Sequence, residues 1–158
     1  MKNKRTIISW ILLLAWMSLI FFMSNQPSYV SSKQSSLVID ILAVIGIDLN
    51  SYFGSIASFV VRKAAHFSEY FILYFLAVNV IKNYVYINKA RLYALLIVFA
   101  YASTDEIHQY FVPGRSMAFR DVLIDFSGGF SGYVIQKIYY KLKNVRKNTC
   151  ISEKVVVK

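Results

Sequence analysis

Five polar side chains stand at the start of an apolar run in the middle of this 158-residue chain. Arg62, His66 and Glu69 follow one another at i, i+4 and i+7, so a helix would place them on one face. Lys63 and Tyr70 stand beside them. An ionisable group in or near membrane hydrocarbon is costly unless it is paired or hydrated, so this group is a candidate functional site.

A second polar group closes the next apolar run. Asp105 and Gln109 form an i, i+4 pair, and Glu106 flanks the same side of the helix. His108 projects away from this line, so we interpret it as a peripheral polar residue. A Pro-Gly turn and then Arg115 follow.

The last apolar run opens with Arg120, Asp121 and Asp125, and the two aspartates are again spaced i, i+4. Gly128 and Gly132 continue the same face at G-x-x-x-G spacing. Small residues at this spacing let a neighbouring helix approach closely. The face that packs against the bundle would therefore also direct its carboxylates inward.

Two kinds of chemistry fit these residue types. Cationic side chains could bind a phosphate or carboxylate group, and the candidates are Arg62, Lys63, Arg115 and Arg120. A histidine with carboxylates could instead bind a divalent metal ion that activates water, and the candidates are His66, Glu69, Asp105 and Glu106. The sequence contains no H-E-x-x-H motif, so we favour anion binding and predict no metal ligands. A third interpretation is an ion-pair network that only fixes the register of the helices.

Composition and run length predict the elements that position these groups. The chain is 57% hydrophobic and 16% charged, against about 45–50% and about 25% in ordinary soluble domains. The apolar runs cover residues 7–23, 67–81, 92–112 and 117–140. They lack the alternation of strands and are candidates for transmembrane helices. We predict an all-α, integral membrane four-helix bundle that forms a single domain over residues 1–158.

The net charge of +10 carries a topology signal. Thirteen of the 18 Lys and Arg residues lie before residue 6, in residues 82–91 or in residues 137–158. The positive-inside rule then predicts that both termini are cytoplasmic and that all three polar groups lie at the outer membrane boundary. The first run is longer than a usual signal peptide and lacks a small-residue cleavage site, so we expect an uncleaved anchor.

The segments outside the spans carry simpler predictions. The first outer loop should contain a short amphipathic helix over residues 35–48, at the membrane interface or capping the bundle. The basic tail, residues 141–158, should hold the orientation and contact anionic lipid, and we predict no nucleic-acid partner. The single cysteine, Cys150, excludes an intramolecular disulfide.

The same three polar groups resemble the VanZ-like family of small bacterial membrane proteins. The stretches are residues 62–70 (RKAAHFSEY), 105–115 (DEIHQYFVPGR) and 120–129 (RDVLIDFSGG). They are similar to the family patterns K-x-x-H-F-x-E-Y, D-E-x-x-Q-x-F-x-P-x-R and D-x-x-x-N-x-x-G. The matching residues are Lys63, His66, Glu69, Asp105, Glu106, Gln109, Arg115, Asp121 and Gly128. One position departs from the pattern, because Asp125 stands where the family has Asn.

This resemblance implies a bacterial plasma-membrane protein of the cell envelope, whose outward polar cluster is its working part. The member that names the family is linked to low-level resistance to teicoplanin, and the resemblance implies neither a particular reaction nor a cofactor. A lipid-linked phosphate or a glycopeptide is the expected ligand, and the lipid bilayer is the expected partner. The alternative is an intramembrane hydrolase or transferase that acts on a lipid-linked envelope precursor, with His66 as its general acid or base.

Overall fold

The computed structural model describes the backbone of residues 2–156 and the side chains of residues 4–144. Within these residues every regular element is helical, which confirms the all-α prediction. The end of the predicted basic tail, residues 157–158, lies outside the described residues, as does the side chain of Cys150. The elements are α1 (Lys2–Ser24), α2 (Ser28–Val44), α3 (Leu49–Phe53), a 3₁₀ helix (Gly54–Ile56), α4 (Ala57–Ile81), α5 (Ile87–Gln109) and α6 (Phe119–Val156).

The helix in the first loop differs from its predicted bounds. In place of one helix over residues 35–48, α2 begins at Ser28 and ends at Val44, and α3 follows it. Pro27 stands immediately before α2 with φ −55° and ψ 152°, a conformation that starts the helix seven residues earlier than predicted. Gly46, with φ +89°, ends it, because the left-handed conformation breaks the helix and suits glycine.

The bundle is organised around α4, which packs against α1, α2, α3, α5 and α6. Its contact with α6 is the most extensive and depends on small residues. A Cβ atom added at Gly128 would lie 2.1 Å from the carbonyl oxygen of Phe67, and one added at Gly132 would lie 2.8 Å from the Tyr74 ring. Gly129 faces α5, where its Cβ would lie 2.6 Å from Val98. The three glycines therefore bring α6 into backbone-level contact with its neighbours.

Helix α1 packs against the same core, but its contact with α4 is less extensive than that of α6. The Trp16 indole nitrogen donates a hydrogen bond to the Glu69 carbonyl at 2.9 Å, and the Tyr101 hydroxyl donates to the Met17 carbonyl at 2.6 Å. Leu13 and Ile20 are buried against α4 and α5. Only 17% of the apolar window of α1 is buried, so most of its large aliphatic side chains remain available to lipid.

Among the described residues, two stretches are long and apolar enough to cross a membrane, Lys4–Ser24 and Leu49–Ile81. The first contains the predicted span 7–23. The second contains the predicted span 67–81, although α4 begins ten residues before that span. Helices α5 and α6 contain most of the two remaining predicted spans but carry more charged residues, so their crossing of the membrane stays a prediction.

Candidate functional site

The three polar groups meet at one end of the bundle, where α4, α5 and α6 converge. One ring nitrogen of His66 and one carboxylate oxygen each of Asp105 and Asp125 lie within 4.8 Å of one another. Each residue comes from a different helix, so this group, called the buried trio below, is a product of helix packing. Imidazole nitrogen and carboxylate oxygen are donors that divalent metal ions accept.

Burial makes the trio chemically unusual. Asp125 is 1% exposed, and its Oδ1 lies 3.5 Å from His66 Nδ1. The other oxygen, Asp125 Oδ2, makes no hydrogen bond with the described part of the chain, and neither does His66 Nδ1. Glu69 approaches the same nitrogen at 3.8 Å. A buried polar atom without a partner in a folded chain calls for an explanation, and a bound ion is one of them.

Asp105 is held in place by a chain of polar contacts. Gln109 Nε2 donates to Asp105 Oδ2 at 3.2 Å and to Ser24 Oγ at 2.8 Å. All three residues are buried, and the fully buried Tyr70 lies beside Asp105. The i, i+4 spacing of Asp105 and Gln109 on α5 makes the first contact local, whereas Ser24 brings in the end of α1.

An ion pair links α4 to α6 at the edge of the trio. Lys63 Nζ lies 2.5 Å from Asp121 Oδ1, and the two side chains are 17% and 22% exposed. Asp121 stands one helical turn before Asp125, so this pair and the trio belong to the same face of α6. The pair neutralises Asp121 and leaves Lys63 at the border between the trio and solvent.

Two sets of hydrogen bonds hold the loop between α5 and α6 in place. Glu106, which is 2% exposed, accepts a hydrogen bond from the Ala118 backbone nitrogen at 3.1 Å. Arg115 Nε donates to the Gln26 carbonyl at 2.9 Å, and Arg115 Nη2 lies 3.5 Å from the Met23 carbonyl, so both contacts are made at the end of α1 or just after it. Burial lowers the pKa of Arg115 below its ordinary value; Arg62 acts in the same direction, and nearby carboxylates oppose it.

A cavity of about 430 Å³ opens beside these residues and is called the basic cavity below. Four cationic side chains line it, together with the already paired Asp121 and with His66. The cations are Arg62, Lys63, Arg115 and Arg120. His66 therefore belongs both to the basic cavity and to the buried trio. A smaller cavity of about 130 Å³ lies toward α2, and Glu69 is among the residues that line it.

The family model described as VanZ/LLP1 matches residues 9–140. This chain belongs to the VanZ/LLP1 family. No curated protein and no solved structure matches the chain. Membership in the VanZ/LLP1 family, together with the two apolar stretches of the fold, indicates a membrane protein.

In this VanZ/LLP1 member, the predicted site residues do not all lie at equal depth. Arg120 is exposed at the rim of the basic cavity, and Arg62 is half-buried in its wall. His108 lies apart from both groups, where it contacts Asn25 at 3.2 Å and its ring packs in a tilted arrangement against Phe21, with the ring centroids 4.7 Å apart. Gly128 and Gly132 lie below the site, at the α4–α6 contact.

Several contributing residues of this VanZ/LLP1 chain were not singled out in its sequence. Ser24, which is 1% exposed, accepts a hydrogen bond from Gln109, and the Gln26 carbonyl accepts one from Arg115. A serine at a helix end and a backbone carbonyl carry no sequence signal, because their role depends only on what packs against them. Gly129 follows Gly128 directly, and its contact with Val98 could have been anticipated from the Gly-Gly pair.

Proposed function

We propose that this chain is a multi-pass plasma-membrane protein of the bacterial cell envelope that binds a phosphate or carboxylate group in its basic cavity. A lipid-linked phosphate and the glycopeptide teicoplanin are the two sources of such a group that we consider. Binding at this cavity would confer low-level teicoplanin resistance. The observation that supports this most strongly is the charge of the cavity wall, which has four cations and one carboxylate, so that three cations remain after Lys63 pairs with Asp121.

Arg115 is the best placed of these cations. Its guanidinium is held by backbone carbonyls of the α1–α2 junction, so ordering it for a ligand costs little additional side-chain entropy. No carboxylate of the described residues forms an ion pair with Arg115 within 4.0 Å. A fixed guanidinium without a paired carboxylate is suited to bidentate binding of a phosphate or carboxylate.

The proposed topology places the cavity outside the cytoplasm. Four crossings, with α5 and α6 as the third and fourth spans, put both termini and the basic segments on the cytoplasmic side. The basic cavity lies at the opposite end of the bundle from the basic segment at residues 82–91. Cysteine labelling would test this: a cysteine at the exposed Ser116 position should react with an impermeant maleimide in intact cells, whereas one at Asn83 should not.

The binding test uses the purified full chain in lipid nanodiscs with a polyprenyl phosphate, the matching polyprenol and teicoplanin as separate probes. Loss of a charge-assisted contact is worth about 1.5–3 kcal/mol, so Arg115→Ala should weaken binding of the phosphate probe by about tenfold or more. Lys82→Ala, which removes one exposed cation at the other end of α4, should leave binding unchanged. Equal binding of the phosphate and the alcohol, or unaltered binding by Arg115→Ala, would contradict the proposal.

Susceptibility measurements separate the two ligands. In a teicoplanin-sensitive bacterium that expresses the chain, Arg115→Ala at equal membrane abundance should restore sensitivity, and Lys82→Ala should not. A variant that loses phosphate binding but keeps resistance would contradict the proposal that binding at the basic cavity confers resistance.

A second candidate function is an intramembrane hydrolase that acts on a lipid-linked phosphate. It is supported by His66, which lines the basic cavity and whose Nδ1 lies 3.5 Å from Asp125 Oδ1. His66 would take a proton from water as the water oxygen attacks phosphorus, and the leaving oxygen would take up a proton as its P–O bond breaks. Release of phosphate by the wild type but not by His66→Ala is the expected result, and no turnover of any lipid phosphate would exclude this candidate.

A further inference from the structure

The buried trio lies next to the basic cavity, but its chemistry is different. Its donors are one imidazole nitrogen and two carboxylate oxygens, all within 4.8 Å. Two of the donor residues carry buried atoms without a hydrogen-bond partner among the described residues, His66 Nδ1 and Asp125 Oδ2. Asp125 is almost completely buried. An anion-binding function leaves these atoms unexplained.

We propose that His66, Asp105 and Asp125 together bind one divalent transition-metal ion, Zn²⁺ or Mn²⁺. This site goes beyond the anion-binding function proposed above and does not depend on it. Each ligand comes from a different helix, so the ion would join α4, α5 and α6 at a single point.

One donor pair of the trio, His66 Nδ1 and Asp125 Oδ1, has a spacing that suits a shared metal ion better than a hydrogen bond. His66 Nδ1 and Asp125 Oδ1 are 3.5 Å apart, at the limit of a hydrogen bond. Two ligands at about 2.1 Å from a tetrahedral ion lie about 3.4 Å from each other. The observed separation is therefore the one that two ligands of a shared ion would have.

The charge balance also favours a cation. Among the described residues, the only basic group within 4.0 Å of Asp125 is His66. Two cations of the adjoining basic cavity are already engaged, since Lys63 pairs with Asp121 and Arg115 donates to backbone carbonyls. A buried carboxylate without a charged partner is unfavourable, and a bound divalent ion would remove that penalty.

The surroundings of the trio resemble the outer shell of a metal site. Gln109 donates to Asp105 Oδ2 and is itself bonded to Ser24, which fixes the carboxylate in position. Outer-shell hydrogen bonds of this kind orient metal ligands. One nitrogen and two carboxylate ligands fit Zn²⁺ or Mn²⁺ better than Ca²⁺ or Mg²⁺, which prefer ligand sets made of oxygen alone.

The test measures metal binding directly. The full chain, with its affinity tag removed, is purified into nanodiscs, stripped with a chelator and titrated with Zn²⁺, Mn²⁺, Mg²⁺ and Ca²⁺. Metal content at saturation is determined by mass spectrometry. We expect one tightly bound Zn²⁺ or Mn²⁺ per chain, and weaker binding of Mg²⁺ and Ca²⁺.

Isosteric variants identify the ligands. Asp125→Asn and Asp105→Asn should each weaken binding by more than the about 10–100-fold typical of losing an outer-shell partner. Asp40→Asn is the matched control, because it makes the same change at an exposed position on α2 and should bind metal as the wild type does. Visible absorption of the Co²⁺-loaded protein should show nitrogen coordination that His66→Gln removes.

Three outcomes would overturn the metal site: a wild type that binds no transition metal, equal binding by Asp125→Asn and wild type, or binding of Mg²⁺ as tight as that of Zn²⁺ and Mn²⁺. If Asp125→Asn does not fold, Asp105→Asn and the Co²⁺ spectrum decide the question. Binding of the polyprenyl phosphate to Arg115→Ala is scored separately, so failure of the metal site and failure of the anion site give different results.

Discussion

The basic cavity and the buried trio lie side by side and share His66, yet they differ in both charge and burial. The cavity wall carries four cations and one paired carboxylate, and it is open to solvent. The trio contains two carboxylates and no lysine or arginine, and Asp125 within it is almost fully buried. Cations therefore dominate the cavity wall and carboxylates dominate the trio, with Lys63–Asp121 as a link between them, although Glu69 lines the smaller cavity together with Arg62 and Arg115.

This segregation bears on the simplest interpretation of the polar residues, an ion-pair network that fixes helix register. Such a network would match opposite charges across the helix contacts. Here Arg115 is bound to backbone carbonyls and Asp125 has an oxygen without a partner among the described residues. Register is instead supported by glycines at the α4–α6 contact. The segregated charges are better explained by ligands of opposite sign.

The largest expected loss of stability comes from Gly128→Ala, which would disrupt the cavity and the trio together. The new Cβ would lie 2.1 Å from the Phe67 carbonyl oxygen, and because that neighbour is backbone, α6 must move. Overpacking of this severity should cost about 3 kcal/mol or more. Thermal unfolding in detergent, read by the amount of monodisperse protein, measures it. Ser127→Ala, on the exposed face one residue earlier, should leave the melting temperature unchanged.

Glu106→Ala should have the second-largest effect on stability. It should weaken phosphate binding in the cavity more than metal binding by the trio. It leaves the Ala118 backbone nitrogen without its partner and loosens the loop that carries Arg115, at about 2 kcal/mol. Glu106→Gln should cost about half as much, because a neutral amide oxygen accepts more weakly. We expect weaker phosphate binding with metal binding retained. Asp40→Asn, at an exposed position on α2, is the control, and loss of metal binding by Glu106→Gln would contradict this division.

The coupling between Lys63 and Asp121 tests how firmly the two regions are joined. Lys63→Ala, Asp121→Ala and the double variant form a cycle whose interaction free energy should be about 1 kcal/mol, since the pair is only partly exposed. The measurement is unfolding free energy in detergent at low and high salt. Additive effects of the two substitutions would show that the Lys63–Asp121 contact does not couple α4 to α6.

The smallest effect is expected from His108→Ala. His108 is at the same end of the bundle, where its side chain contacts Asn25 and Phe21 and makes no hydrogen bond to the trio. Its loss should cost about 0.5 kcal/mol and leave phosphate and metal binding unchanged. His66→Ala, at the chain's other histidine, should abolish metal binding. Similar metal affinities of the two variants would remove the distinction between the histidines.

Local features of the fold followed from the sequence where helical spacing alone determines them. The i, i+4 relation of Asp105 and Gln109 predicts their contact, which the structure contains at 3.2 Å. The start of α2 was missed, because the serine-rich stretch after Pro27 has little apolar periodicity. Its small side chains Ser31 and Ser35 are buried, while the larger Ile41 and Val44 are exposed.

The sequence by itself determined that the chain is helical and apolar, which residues share a helix face, and which family it belongs to. Tertiary structure alone decided which faces meet. The candidate metal set drawn from the sequence was His66, Glu69, Asp105 and Glu106. Packing keeps Asp105 near His66, but it brings Asp125 in place of Glu106, which turns toward Ala118. The physical reason is that helical periodicity fixes neighbours within one helix. The rotation and depth of α6 against α4 depend on the close approach that Gly128 and Gly132 allow.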